Sequence, residues 1–168
     1  MSAPGPSLRQ LTAASGRRLD PHILVVDDDV DLRILIRDAI ELAEEHRDEE
    51  ASPTISECGS GEEALTFLDS CDPLPSLIYM DVEMPGMGGL EAVKRLKENP
   101  RTRNIPVVIL SGLQDVAQQG RDAGCEADAF QVKPADADSL IETVLQSTDY
   151  WLHVRPQKET TSPIPNAA

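Results

Sequence analysis

From residue 22 to residue 148 the chain alternates between short apolar, β-branched runs and longer stretches whose apolar residues recur at helical spacing, a rhythm that few folds accommodate. The runs are His22–Val26, Thr54–Cys58, Ser76–Met80, Ile105–Leu110 and Ala129–Val132. The first, third and fourth lack polar alternation, as strands buried on both faces of a parallel sheet do. The second alternates, which suits a place nearer an edge. Between the runs Leu32, Leu35, Ile36, Ala39, Ile40 and Ala43 share one helical face. Ala64, Leu65 and Leu68 repeat the pattern, as do Leu90, Val93 and Leu96, then Leu140, Ile141, Val144 and Leu145. Gly61-Glu62-Glu63 and Ala135-Asp136 put small and acidic residues where helices begin, in keeping with the helix dipole. The spacing predicts an α/β fold with a parallel sheet covered on both faces. In such sheets the binding crevice lies outside the carboxyl ends of the strands.

The chemistry-bearing residues stand at those ends. Asp27-Asp28-Asp29 follows the first run, and Asp81 with Val82-Glu83-Met84-Pro85-Gly86 follows the third. Ser111-Gly112 follows the fourth and Lys133-Pro134 the fifth. Singly these are weak signals: an acid after a strand is commonly a helix cap, Asp29 above all, and a strand-terminal Ser is commonly a turn residue. Together they bring several carboxylates, one hydroxyl and one amine to a single crevice. Crowded carboxylates repel and call for a cation, and hard divalent ions such as Mg²⁺ take oxygen ligands. The lysine adds a fixed positive charge, and a hydroxyl or a free backbone N–H can hold a phosphoryl oxygen. The set suits phosphoryl transfer, with a carboxylate as nucleophile forming an acyl phosphate.

Residues 22 to 148 resemble the receiver domain of two-component response regulators. The likeness rests on Ile23–Asp29, Met80–Gly89, Ile109–Gly112 and Ala127–Pro134, all in register. It implies a flavodoxin-like (βα)5 fold with strand order 2-1-3-4-5. It further implies that Asp81 accepts a phosphoryl group from the phosphohistidine of a sensor histidine kinase. Asp28 and Asp81, with the backbone carbonyl of Glu83, would ligate Mg²⁺ (or Mn²⁺), and Asp27 would orient the ion through water. Lys133 would pair with Asp81 or the phosphoryl group, next to a cis Lys133–Pro134 bond. Ser111 would move onto the phosphoryl group, and Phe130 would follow it inward as a switch.

With 168 residues, one domain is expected, over 21–148. Residues 1–20, with Arg9, Arg17 and Arg18, read as a flexible arm, and 149–168 as a C-terminal extension, Pro- and Thr-rich from about Gln157, without an output domain. A formal charge of -15 argues against nucleic acid as a partner. The three cysteines, Cys58, Cys71 and Cys125, and three histidines form no metal-ligand pattern. No apolar run reaches the ~20 residues of a membrane helix, so a cytoplasmic protein is expected. In a chain only 3% aromatic, Tyr150, Trp151 and Leu152 stand out. They read either as a cap on the core or as a homodimer contact. The Tyr-Trp-Leu extension and the acidic stretch Glu44, Glu45, Asp48, Glu49 and Glu50 are similar to those of small regulators serving phytochrome-type kinases. Two other readings compete. A haloacid-dehalogenase-type Mg²⁺-dependent phosphatase would use Asp27 as nucleophile and Asp29 as acid, but has Asp31 where Thr or Val is expected and leaves the Asp81 turn unexplained. A receiver-like module that binds without phosphate would have no reason to keep all of Asp27, Asp28, Asp81, Ser111 and Lys133.

Overall fold

The computed structural model describes residues 20–45 and 53–155. Nearly all of the expected N-terminal arm, with Arg9, Arg17 and Arg18, lies outside them, as do Asp48, Glu49, Glu50 and the segment from Gln157. Five strands, β1 (His22–Val26), β2 (Thr54–Cys58), β3 (Leu77–Met80), β4 (Val107–Ser111) and β5 (Ala129–Val132), alternate with five helices. The helices are α1 (Val30–Glu45), α2 (Gly61–Ser70), α3 (Gly89–Glu98), α4 (Val116–Asp122) and α5 (Ala137–Asp149). Every pairing is parallel, in the order β2-β1-β3-β4-β5. This is the flavodoxin-like topology expected. β1, β3 and β4 are buried along their length, whereas β2 and β5 form the partly exposed edges. Edge position is the physical source of the alternation in Thr54–Cys58.

One end of β4 differs from expectation for a covalent reason. Pro106 has no N–H to offer a ladder, so the strand begins at Val107, although the Pro106 carbonyl still accepts from Ile78 N at 3.0 Å. At its other end β4 takes in Ser111.

Alternate residues of each strand feed two cores. On one face Ile23, Val25, Tyr79, Val108 and Leu110 meet Ile36 and Ile40 of α1 and Leu140 and Val144 of α5. On the other, Leu24, Val26, Ile78, Met80 and Ile109 meet α2, α3 and α4 through Ala64, Leu68, Val93, Leu96 and Val116. Short α4 carries only Val116 and Gly120 as buried residues, too narrow a stripe to be read from spacing.

The last helix does not end where the domain boundary was expected, at residue 148. α5 runs to Asp149, and a π-helical turn, Tyr150–Val154, prolongs it. Trp151 and Leu152 enter the α1/α5 core. Arg155 stacks on Trp151, 4.4 Å from the ring centroid, and its Nη1 lies 3.8 Å from Asp128 Oδ1. His153 Nε2 lies 3.5 Å from Glu44 Oε1 at the end of α1. Beneath them the buried Tyr79 hydroxyl donates to the Val144 carbonyl (3.1 Å) and meets Thr148 Oγ1 at 2.8 Å. The two acids of the Glu44–Glu50 stretch that are described, Glu44 and Glu45, belong to α1.

Helix starts follow ordinary capping chemistry. Ser60 Oγ accepts from Glu63 N (3.1 Å) as the cap of α2, and Glu63 Oε2 reaches back to accept from Gly59 N (2.6 Å), one residue before the cap. Asp136 caps α5 by accepting from Ser139 N at 2.8 Å, and this bond holds its pKa below the usual carboxylate value. Such a bond stabilises the fold fully above the unfolded pKa and is lost as pH falls through the lower, folded one. Asp136→Ala is therefore expected to lower the thermal midpoint by roughly a few degrees at neutral pH. Circular dichroism melts should show the gap to the parent protein closing as the pH drops into the acid range.

Candidate functional site

The parallel sheet delivers three of its strand ends to one spot. β1 ends before Asp27, β3 before Asp81 and β5 before Lys133. Asp27 and Asp81 are 3% and 5% exposed, while Asp28 faces solvent. One carboxylate oxygen from each of the three lies within 4.8 Å of the others. Lys133 Nζ donates to Asp27 Oδ2 at 2.6 Å and lies 3.2 Å from Asp81 Oδ1. The pairing expected with Asp81 thus exists, but the shorter bond goes to Asp27.

Backbone bonds hold these side chains in register. Asp81 N donates to the Val26 carbonyl (2.8 Å), and Lys133 N donates to the Ser111 carbonyl (2.7 Å). Asp27 Oδ1 accepts from Asp29 N at 3.0 Å. Arg33 of α1 donates to the Asp27 carbonyl (2.6 Å) and pairs with Glu57 of β2 at 3.3 Å. Sequence reasoning missed Arg33; its placement one turn into α1, above the acids, was the available signal. Asp29 does not join the carboxylate cluster: its Oδ1 accepts from Leu32 N (3.2 Å) as a cap of α1. That leaves the phosphatase reading without its acid.

Burial and the neighbouring charge of Asp27 push the Asp81 carboxyl above its ordinary pKa, and Lys133 only partly offsets them. Burial works against the Lys133 charge, yet its hydrogen bond to Asp27 and the field of both acids outweigh it, and its pKa is raised. Two buried carboxylates and one exposed one thus face a single ammonium. The donor set is all oxygen and its charge is under-compensated, which fits a hard divalent cation.

The residues expected to act as a switch, Ser111 and Phe130, flank this cluster. Ser111 is fully buried at the end of β4, and its Oγ accepts from Leu113 N at 3.2 Å. Phe130 lies beside Ile109 in the sheet, half-buried, with its ring where a side chain on Gly120 of α4 would otherwise sit. The loop after Asp81 carries exposed Glu83 and buried Met84. Gly89, at the start of α3, touches the Asp81 carbonyl so closely that no Cβ fits between them.

One expectation comes out differently, and one open choice is narrowed. Among the described residues the one cis peptide bond is Asp72–Pro73, so Lys133–Pro134 is trans. The isomers of an X–Pro bond differ by only about 0.5–1 kcal/mol, too little for a dipeptide to decide. Of the three residues expected at a dimer contact, Trp151 and Leu152 are buried within this chain, and Tyr150 is 48% exposed.

Because folding forces the Asp81 charge into the company of Asp27, Asp81→Asn is expected to raise stability in metal-free buffer, whereas Lys133→Ala lowers it. Urea titrations in EDTA measure both, and a lower midpoint for Asp81→Asn would contradict the electrostatic account.

Comparison with known proteins gives the arrangement its family. The receiver-domain model of response regulators matches residues 23–145. Response regulator PleD of Caulobacter vibrioides is 33% identical over 136 residues, covering 80% of this chain and 27% of PleD, so the chain spans about a quarter of that relative's length. The rice two-component response regulator ORR5 is 33% identical over 75% of this chain and 90% of its own. Among solved structures, the phosphorylated cyanobacterial phytochrome response regulator RcpA shares the fold, with a TM-score of 0.70 at 22% identity over 88% of this chain and 99% of its own. Thermotoga maritima TrrA, solved with Mg²⁺ and BeF, reaches 0.56 at 30% identity over 75% of this chain and 97% of its own. With Asp27, Asp28, Asp81 and Lys133 gathered at the carboxyl edge of a 2-1-3-4-5 sheet, this chain belongs to the response regulator receiver family.

Proposed function

We propose that the chain is a phosphorylation-operated switch that takes a phosphoryl group on Asp81 from a sensor histidine kinase and signals through its own surface. The observation that carries this reading is the buried pair Asp27 and Asp81 sharing Lys133 at 2.6 and 3.2 Å. Asp28 and Asp81, with the Glu83 carbonyl, are the residues to hold Mg²⁺, and Asp27 supports them. Bound there, the ion would neutralise charge on the acids and on the entering phosphoryl oxygens. An Asp81 carboxylate oxygen forms the new bond to phosphorus while the bond to the donor's imidazole nitrogen breaks and the imidazole leaves with that electron pair. Lys133 supplies the fixed positive charge beside that oxygen. The Ser111 hydroxyl, released from Leu113 N, bonds a phosphoryl oxygen, and Phe130 moves toward the space it vacates. The α4–β5–α5 side then reports the change, because Phe130 bears on α4 and Lys133 is joined to β4 through Ser111.

The partner class we favour is a histidine kinase of the phytochrome type. The Tyr150–Val154 turn and the likeness in fold to RcpA over 88% of the chain support it. A homodimer would use Tyr150, the one side chain of the Tyr-Trp-Leu segment left outward. Among the described residues no helix is long and apolar enough to cross a membrane.

Acetyl phosphate with Mg²⁺ is expected to add one hydroxylamine-sensitive phosphoryl group, read by intact-mass spectrometry, and Asp81→Asn should abolish it. Mapping the acyl phosphate to Asp27 would instead restore the phosphatase reading. In sedimentation equilibrium, Tyr150→Ser should lower the mass of any dimer, and equal masses for both proteins would remove Tyr150 from the interface.

A further inference from the structure

The loop that follows Asp81 is tied to a helix that takes no direct part in the site. Residues 82–88 carry the Glu83 carbonyl and lead into α3, whose first residue, Gly89, lies against the Asp81 carbonyl. Helix α3 begins poorly capped. Its N-cap is Gly88, which has no side chain to accept from the free N–H groups of the first turn. A carboxylate from elsewhere stands at this point: Glu62 Oε1, from the first turn of α2, accepts from Met87 N at 2.7 Å. A bond from its own backbone N–H, and after it the one from Met87 N, keep the Glu62 carboxyl below its usual pKa.

The two segments also meet backbone to backbone. A Cβ on Gly86, which has a φ of +77°, would lie 2.7 Å from Glu62 Oε1, and one on Gly61 would lie 2.8 Å from the Met87 carbonyl oxygen. The first turn of α2 and the end of the loop are therefore closely fitted, through the Glu62 side chain at Gly86 and against the Met87 backbone at Gly61. Moving Met87 moves Gly88 and Gly89, and Gly89 has no slack against Asp81.

We infer that Glu62 is a positioning residue for the cation site: from α2 it anchors Met87 N just ahead of α3, fixing the 82–88 loop so that the Glu83 carbonyl and the Asp81 carboxylate face the same cation. It touches neither the ion nor the phosphoryl group and acts through Met87. The inference rests on the reading of Asp81, Asp28 and Glu83 as Mg²⁺ ligands.

Mg²⁺ binding, measured by isothermal titration calorimetry on the full chain without phosphodonor, tests it, with thermal midpoints in EDTA recorded alongside. Glu62→Ala is expected to weaken Mg²⁺ roughly three- to tenfold, the scale of one ordinary hydrogen bond lost. Its metal-free midpoint should stay near that of the parent, because Glu62 is exposed. Glu62→Gln, which keeps a carbonyl oxygen for Met87 N, should bind Mg²⁺ like the parent. Gly61→Ala suits a helix yet crowds the Met87 carbonyl, and should weaken Mg²⁺ with helical circular dichroism retained. Parent-like binding by Glu62→Ala, or an equal loss in Glu62→Ala and Glu62→Gln, would overturn the inference; the second result would assign the effect to charge. Should the parent itself bind no Mg²⁺ and gain no phosphoryl group, the reading of the site falls and the inference with it. A parent that binds Mg²⁺ and is phosphorylated on Asp81, beside an unaffected Glu62→Ala, removes only the inference.

Discussion

Asp27 and Asp81 are held side by side in a place from which water is nearly excluded, and one ammonium, Lys133, stands between them at 2.6 and 3.2 Å. Carboxylates so placed would shed a proton's worth of charge or move apart if the chain allowed it. The chain does not allow it. Their backbones are the ends of adjacent strands, with Asp81 N bonded to the Val26 carbonyl, and Lys133 is secured by its own backbone bond to Ser111. The sheet therefore holds an electrostatic imbalance that a divalent cation would relieve, and burial, with the Asp27 charge beside it, raises the Asp81 pKa.

That imbalance gives the surrounding elements their meaning. The residues next to the cluster are poised between partners: the Ser111 hydroxyl accepts from Leu113 N, and Phe130 occupies room that Gly120 leaves on α4. On the proposed reading, a phosphoryl group on Asp81 would offer the Ser111 O–H a charged acceptor, and contacts that differ between two states are what shift a population. The opposite side of the sheet carries no such tension. There Tyr79, Val144, Trp151 and Leu152 form a closed core in which the Tyr79 hydroxyl meets the Val144 carbonyl and Thr148 Oγ1.

Legibility followed the physics of each element. β1, β3 and β4 were readable because a strand buried on two faces tolerates only apolar side chains, and α1 because its buried face recurs through four turns. Helix α4 was not, since seven residues packed through Val116 and Gly120 leave no periodic trace. Asp29 carried two meanings in one tripeptide, and only the bond from Leu32 N separates the cap from the ligands. Glu62 was legible only as an acid at a helix start, and Arg33 was not singled out; each bonds a backbone group of another segment, Met87 N or the Asp27 carbonyl, and such a partner has no signature in spacing.

By itself, then, the order of residues determined the strand–helix alternation, the parallel sheet and the gathering of Asp27, Asp28, Asp81, Ser111 and Lys133 at strand ends. Burial pattern and strand polarity suffice for that, because a parallel βα-repeat can put those ends in only one place. Tertiary structure alone decided that Lys133 bonds more closely to Asp27 than to Asp81, that Lys133–Pro134 is trans, and that Trp151 and Leu152 turn inward while Tyr150 stays out. Those outcomes turn on differences of an ångström or of about 1 kcal/mol between local alternatives. Only the packed neighbours, absent from any short stretch of sequence, resolve differences that small.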